Sequence, residues 1–237
     1  MNHDVVYLLK NDIKADELRY SLRSIEKNFP LARVWFFGGC PAGIEPDQYV
    51  NIRQRGLSKW MKSTGSLKAA CKMEELSADF WLFNDDFFIL EKVYALPYMY
   101  RGTLKDRVDG LRKKRRRSDY ADQLERTAVL LERNGCDTRD YALHVPMLIN
   151  KAKALEVFRV FPDCPMFRSL YGNFWNVGGV QSKDVKIYDL QGEPAPGQQL
   201  VSTCDQSFKN GDVGAFIRSR FTYSCKWESN NGTLHNA

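Results

Sequence analysis

Two adjacent aspartates, Asp85 and Asp86, follow Asn84 in the middle of an apolar run, FWLFNDDFFIL at 80–90. Unpaired buried carboxylates cost several kcal/mol, so the pair must meet water, cations or a metal. At the carboxyl end of a sheet strand, where open α/β folds bind ligands, such a pair can hold Mg2+ or Mn2+ through hard oxygen ligands while the ion bridges a diphosphate. The structural alternative is a helix N-cap or a pair of salt bridges at a strand end. Just upstream, KWMKSTGSLKAACKMEEL carries Lys59, Lys62 and Lys68 ahead of the same strand, placing phosphate-compatible cations near the carboxylates. Helix N-termini favour anions in addition.

Little else in the chain suits a metal. The three histidines are His3, His144 and His235, two of them close to the chain ends, so any metal must be held by carboxylates. The six cysteines, Cys40, Cys71, Cys136, Cys164, Cys204 and Cys225, form no CxxC pair and read as reduced core thiols.

The elements that would position these groups alternate. VVYLL at 5–9 reads as a buried strand. DELRYSLRSIEKNF at 16–29 places Leu18, Leu22, Ile25 and Phe29 at helical spacing and stops before Pro30. RVWFFGG at 33–39 is a second strand and Tyr49–Ile52 a third. STGSLKAACKMEEL at 63–76 is a helix, and DFWLF is the strand that delivers the chain to Asn84. Strand and helix in alternation mean a largely parallel sheet with helices on both faces. The second half is less regular: one or two charged helices over 103–134, an extended ALHVPMLIN, a helical KAKALEVFRVF, a Gly-broken aromatic MFRSLYGNFW and a strand VKIYDL at 185–190.

With 237 residues, of which 43% are hydrophobic, the chain can fill a packed core, which excludes a disordered or fibrous protein. No segment approaches the roughly 18 apolar residues of a membrane helix. The N-terminus lacks the features of a signal peptide, so a soluble, cytoplasmic protein without a transmembrane segment is expected. The net charge of +6 is concentrated: residues 101–133 hold eleven Lys or Arg against six acids. The centre of that window, Arg112, Lys113, Lys114, Arg115, Arg116 and Arg117, would meet nucleic acid or another polyanion, or form a solvated helical face.

The order of strand, helix, strand, helix and acid-tipped strand resembles GT-A-fold glycosyltransferases, whose DxD motif binds a divalent ion and the diphosphate of a nucleotide sugar. Here the motif is NDD, and which of Asn84, Asp85 and Asp86 takes each role stays open. ELRYSLRSIEKNFP, FNDDFFIL, LHVPMLINKAKALEV and FRSLYGN together resemble blocks of the Stealth family, sugar-phosphate transferases of capsular polysaccharide synthesis. The chain is shorter than typical members of that family. Its length fits better the short bacteriophage proteins labelled glycosyltransferases, which it also resembles.

These resemblances imply an α/β fold, a GT-A-like nucleotide-binding α/β/α sandwich with a mainly parallel central sheet and a helical basic insertion. Residues 1–228 would form one catalytic domain, with a nucleotide-binding half at 1–100, the insertion at 101–135 and an acceptor half at 136–228, followed by a flexible tail at 229–237. Mn2+ or Mg2+ would sit on Asp85 and Asp86. Lys10, Arg19, Arg23, Lys62, Lys68, Asn84 and Asp85 would bind the nucleotide and its phosphates, with Arg19 and Arg23 one helical turn apart on a common face. Paired with Glu26, the same arginines would be an exposed helix face. Arg168 and Asn173 would contact donor or acceptor sugar, unless Asn173 caps a turn beside Gly172. His144, with Asp205 as alternative and Asp86 beside them, would do the catalytic work; a satisfied core histidine is the competing use of His144.

Three functions follow. The first is glycosyl transfer from a nucleotide sugar to a hydroxyl acceptor, on a modified DNA base or a cell-surface glycan. The second is sugar-phosphate transfer forming a phosphodiester. The third is nucleic-acid binding without catalysis, which leaves NDD and His144 unused and has no RNP box, KH loop or zinc finger to support it.

Overall fold

The computed structural model describes residues 2–54, 59–113, 118–163 and 166–229. Its first half alternates as the hydrophobic periodicity requires: β1 (His3–Leu9), α1 (Ala15–Asn28), β2 (Leu31–Gly38), β3 (Gln48–Val50), α2 (Lys59–Lys72) and β4 (Asp79–Phe83). There follow β5 (Phe87–Ile89), β6 (Met99–Tyr100), α3 (Leu104–Lys113), α4 (Asp119–Arg133), β7 (Met147–Asn150), α5 (Lys151–Val160) and α6 (Phe167–Phe174). The chain ends through β8 (Val180–Gln181), β9 (Lys186–Ile187), β10 (Leu200–Thr203), α7 (Asp205–Asn210) and α8 (Asp212–Arg220).

The main sheet runs in the order β3-β2-β1-β4-β7. β1 pairs in parallel with β2 and β4, bringing Val6 opposite both Trp35 and Leu82, and β7 closes the edge antiparallel to β4. β1 is buried on both faces, so its run of Val and Tyr need not alternate with polar residues. The pleat still sorts it. Val5, Tyr7 and Leu9 meet Leu18, Leu22 and Ile25 of α1, while Val6 faces Leu67 and Ala70 of α2 and a layer completed by α5 and α6. The result is an α/β/α sandwich with a mainly parallel central sheet, as expected. Each fully buried side chain of Leu or Phe size in these layers contributes about 1.5–3 kcal/mol.

α3 and α4 lie in the segment expected as a basic helical insertion and bury Leu104, Val108, Leu111 and Leu124 in the same layer as α2. Ser118 caps α4, its Oγ accepting from the Ala121 amide at 3.4 Å. Two elements differ from the sequence reading. MFRSLYGNFW is a helix that Gly172 does not break, because the missing side chain lets Tyr141 lie against it; a Cβ there would stand 2.5 Å from the ring. The strand expected over 185–190 shrinks to Lys186–Ile187, since Tyr188 and Leu190 turn outward.

A second sheet, β5-β10-β9, starts directly after Asp86. β10 runs antiparallel to β5 and parallel to β9, and a third core of Phe88, Leu90, Val201, Phe208, Val213 and Ile217 seals it against α7 and α8. This sheet folds residues 184–205 back onto the end of β4. Among the described residues no helix is long and apolar enough to cross a membrane. Five cysteines are free thiols there, Cys71 and Cys225 buried and the others partly exposed.

Candidate active site

β1 and β4 lie side by side and point the same way, so Lys10 and the Asn84–Asp86 triplet leave the sheet together at its carboxyl edge. A cleft of about 1440 Å3 opens there and adjoins a smaller lobe of about 480 Å3. Lys10, Asn84, Asp85 and His144 line both. The lobes differ in charge. Lys10, Lys62, Arg107 and Arg168 face Asp12 and Asp85 in the larger one, a surplus of cations suited to an anionic ligand, while Arg101 on its wall is taken up by Asp140 and Asp184. Glu17, Asp85, Asp86 and Asp205 face Lys10 and Lys186 in the smaller.

Burial and the neighbouring Asp86 push the Asp85 carboxyl up to about 6, while Lys10 and Lys186 pull it back. Asp86 is held on one oxygen only. Lys186 Nζ donates to its Oδ2 at 2.7 Å and Ser202 Oγ at 3.2 Å, whereas Oδ1 is buried with no hydrogen-bond partner among the described residues. Glu17 accepts from Thr203 Oγ1 at 2.6 Å. Burial, with Asp86, Asp85 and Asp205 nearby, pushes its carboxyl up to about 7.

An orphaned carboxylate oxygen beside a carboxyl forced upward is a site short of positive charge. No cluster of three or more His, Cys, Asp or Glu arranged to hold a metal occurs among the described residues. Two carboxylates are nevertheless what Mg2+ takes from protein when substrate phosphates and waters complete its shell. The residues present therefore fit a divalent ion shared with a phosphorylated substrate, through Asp85 and Oδ1 of Asp86.

Across the cleft, His144 turns Nδ1 toward both oxygens of Asp184, at 2.9 and 3.1 Å, and its backbone amide donates to Asp184 Oδ1 at 3.2 Å. The ring stands edge-on to Phe87, centroids 6.5 Å apart. Arg101 Nη2 lies 3.2 Å from Asp184 Oδ2, and Arg101 Nε lies 3.1 Å from Asp140 Oδ2. Burial would raise the Asp184 carboxyl, but the hydrogen bond and charge of His144, then Arg101, hold it down at about 2.

Arg168, on α6, reaches under the cleft to donate to the carbonyls of Val145 and Leu82 and lies over the Phe87 ring at 5.5 Å. Burial lowers its guanidinium to about 10, offset in part by the charge of Asp86, with which it forms no salt bridge among the described residues. A desolvated cation that has carbonyls, a ring face and only the nearby charge of Asp86 against it can still take an anion.

Of the residues expected from sequence, the cleft brings together Lys10, Lys62, Asn84, Asp85, Asp86, His144, Arg168 and Asp205. Others go elsewhere. Arg19 and Arg23 do share a helix face, but not as a phosphate clamp: their guanidinium groups close on Glu228, at 3.1 and 2.6 Å, in the C-terminal segment that the chain lays across α1. Lys68 donates to the Pro162 carbonyl at 3.3 Å and covers the Phe158 ring, on the side of α2 that faces α5. Asn173 is buried, its amide bridging both backbone groups of Arg139 and the Ser169 carbonyl, a staple of α6 instead of a sugar contact. Arg112 pairs with Glu125 at 2.7 Å at the exposed end of the insertion and Lys113 closes α3. Lys114, Arg115, Arg116, Arg117 and the Lys59 side chain lie outside the described residues, as do residues 230–237 of the tail.

Glu17, Arg101, Asp184 and Lys186 were missed. The one local signal was DVK at 184–186, which sets an acid and a base on the same side of an extended chain, yet nothing in it names partners 40 and 100 residues away.

Fold and cleft together define an α/β protein whose ligand site lies at the carboxyl ends of parallel strands, where open α/β sheets bind their ligands. No family model and no curated protein matches the chain. Among solved structures, the galactosyltransferase LgtC in complex with donor and acceptor sugar analogues is similar over 92% of this chain and 94% of its own, at 13% identity and a TM-score of 0.46. A second structure, of an active-site mutant of LgtC, is similar over 94% and 98%, at 12% identity and a TM-score of 0.45. Such values decide nothing about chemistry, for which the residues of the cleft must speak.

Proposed function

We propose that this chain is a GT-A-like glycosyltransferase that moves a sugar from a nucleotide-activated donor to a hydroxyl acceptor. The observation that carries the reading is the arrangement at the ends of β1 and β4: the Asp85–Asp86 pair with Lys10 beside it and the unpaired Arg168 beneath, facing His144 across one cleft. Asp85 and Oδ1 of Asp86 would hold Mn2+ or Mg2+, which supplies positive charge against the charge developing on a departing diphosphate. Lys10, Lys62 and Arg168 bind and orient the phosphates in the cationic lobe. Lys186 keeps Asp86 aimed by fixing its other oxygen. His144 takes the proton of the acceptor hydroxyl at a ring nitrogen, and Asp205, exposed at the start of α7, serves less well because water competes for it. The acceptor is a glycan or a modified DNA base. Salt-dependent affinity for duplex DNA, carried by Arg112 and Lys113 with their basic neighbours, would choose the second.

The test is a screen of nucleotide sugars by thermal shift and donor turnover with and without Mn2+, on wild type and Asp86→Ala. One donor should shift the melting temperature, the shift should vanish in the variant, and nucleoside diphosphate should be released. Release of nucleoside monophosphate would reassign the reaction to sugar-phosphate transfer. No shift and no turnover with any donor would overturn the reading.

A further inference from the structure

We propose that Arg101, anchored by Asp140 and closed onto Asp184, is a positioning residue that holds the neutral imidazole of His144 with its proton on Nδ1 and leaves Nε2 bare for the cleft. This rests on the reading of His144 as the base.

The clamp is built from three segments of chain. Arg101 and Asp140 are tied first through their backbones: the Arg101 amide donates to the Asp140 carbonyl at 3.0 Å, and the Asp140 amide to the Gly102 carbonyl at 2.8 Å. Their side chains then meet, Nε to Oδ2 at 3.1 Å, while Arg101 Nη2 also donates to the Ala142 carbonyl at 2.6 Å. Asp140 is fully buried, and its Oδ1 accepts from the Ala142 amide at 2.9 Å. The guanidinium is thus held at Nη2 by a hydrogen bond to Ala142 and at Nε by the charge of Asp140 alone, since neither Nε nor Asp140 Oδ2 has a hydrogen-bond partner among the described residues, before it reaches Asp184 at 3.2 Å.

Asp184 accepts from the His144 amide and faces His144 Nδ1, and Arg101 Nη2 sets a cation 3.2 Å from its Oδ2. An ionised carboxylate accepts and cannot donate, so the ring nitrogen facing it must carry the proton. In water the neutral imidazole prefers its proton on Nε2; the carboxylate reverses that preference, and a ring nitrogen's partner is what sets the tautomer. Without Arg101, Asp140 would keep only the charge of Arg107 against the repulsion of Asp184, and Asp184 would lose the cation that aims it. Exposure grades from the fully buried Asp140, through Arg101 at 14% and Asp184 at 19%, to His144 at 26%, the order expected of an anchor below and a working group above.

The tautomer can be read without any substrate. In the 15N-labelled full chain at alkaline pH, long-range proton–nitrogen spectra report which ring nitrogen is protonated. With three histidines in the chain, His144→Gln assigns the signal. Wild type should show His144 protonated on Nδ1. Asp184→Ala should move the proton to Nε2, Arg101→Gln should at least halve the Nδ1–H population, and Arg101→Lys should restore it. Asp140→Asn, which keeps the charge of Arg101 but loosens its anchor, should shift the population the same way and stands in if Arg101→Gln does not fold. Nε2–H in wild type, or an unchanged tautomer in the Arg101 and Asp140 variants, overturns the proposal. With a donor in hand, Arg101→Gln should lower kcat while leaving the donor KM unchanged. Turnover by a wild type with the opposite tautomer would refute the positioning role alone; the expected tautomer in a chain that turns over no donor would refute the transferase reading alone.

Discussion

Removing the charge of Glu228 should loosen the C-terminal segment from α1. Its carboxylate is almost fully buried, at 4% exposure, and takes Arg23 Nε at 2.6 Å, Arg23 Nη2 at 2.8 Å, Arg19 Nη1 at 3.1 Å and the Cys225 amide at 3.0 Å. In Glu228→Gln the charge is lost and one acceptor oxygen becomes a donor, so the two guanidinium groups share a single neutral amide oxygen beside the backbone carbonyls of Ala42 for Arg19 and of Phe221 and Thr222 for Arg23. Breaking a buried pair from one side costs about 3–5 kcal/mol; Arg19 is partly solvated, which brings the expected loss to about 2–3 kcal/mol. The same contacts act on the titration of the carboxyl. Burial would raise the Glu228 carboxyl, but Arg23, the Cys225 amide and Arg19 outweigh it and hold it at about 2 instead of 4.5. A difference of that size is worth about 3 kcal/mol at neutral pH. Because the folded-state value is the lower one, this stability is complete above the unfolded value and is lost as pH falls through it towards 2. Urea unfolding of wild type and Glu228→Gln at neutral pH should differ by about 2–3 kcal/mol, or about 5–10 °C in melting temperature for a chain of this length. The gap should close as both are titrated towards pH 2. A variant within about 0.5 kcal/mol of wild type at neutral pH, below what the loss of any buried ion pair allows, or a gap that does not narrow in acid, would show that the ion pair does not hold this segment.

Other consequences are more local. His144→Gln should cut donor turnover by about a hundredfold or more, the range of a lost general base, whereas Asp205→Asn should stay within about tenfold of wild type. Arg168→Met should weaken binding of the donor's nucleoside diphosphate by about tenfold or more in calorimetry, since a hydrogen bond to a charged group is worth about 1.5–3 kcal/mol. Gly172→Ala should cost about 1–3 kcal/mol in chemical denaturation, because the new methyl meets the Tyr141 ring at 2.5 Å inside a packed layer. Phe88→Ala should cost about 3–5 kcal/mol, Phe88 being fully buried and stacked on Phe208 at 5.9 Å.

The elements up to Asn84 were legible because each carries its own period. The apolar residues of α1 fall at helical spacing, those of β1 and β2 form unbroken runs, and Pro30 and the glycines after β2 punctuate them. The second sheet was harder to read. β5 has three residues, β9 two and β10 four, too short for any period to show, and their pairing is antiparallel on one side and parallel on the other. Helix α6 was obscured by Gly172, which reads as a breaker in sequence and is a contact surface in the folded chain.

The same division runs through the cleft. That Asp85 and Asp86 could not both enter a core, and that they stand at a strand end beside cations, follows from residue type and hydrophobic pattern, which are local properties. Arg19 and Arg23 show where local reasoning stops. Their spacing put them on one face, as found, but which anion they meet depends on a carboxylate some 205 residues further on. His144 stood out by composition; Asp184, Arg101 and Asp140, which surround it, did not, since an acid or a base says nothing of its partner until the chain is folded. Residue chemistry and short-range period decided which groups were available and on which elements they ride. Charge pairing acts through space, so only the tertiary structure decided that Arg19 and Arg23 hold the C-terminal segment while Arg101 lines the cleft paired with Asp140 and Asp184.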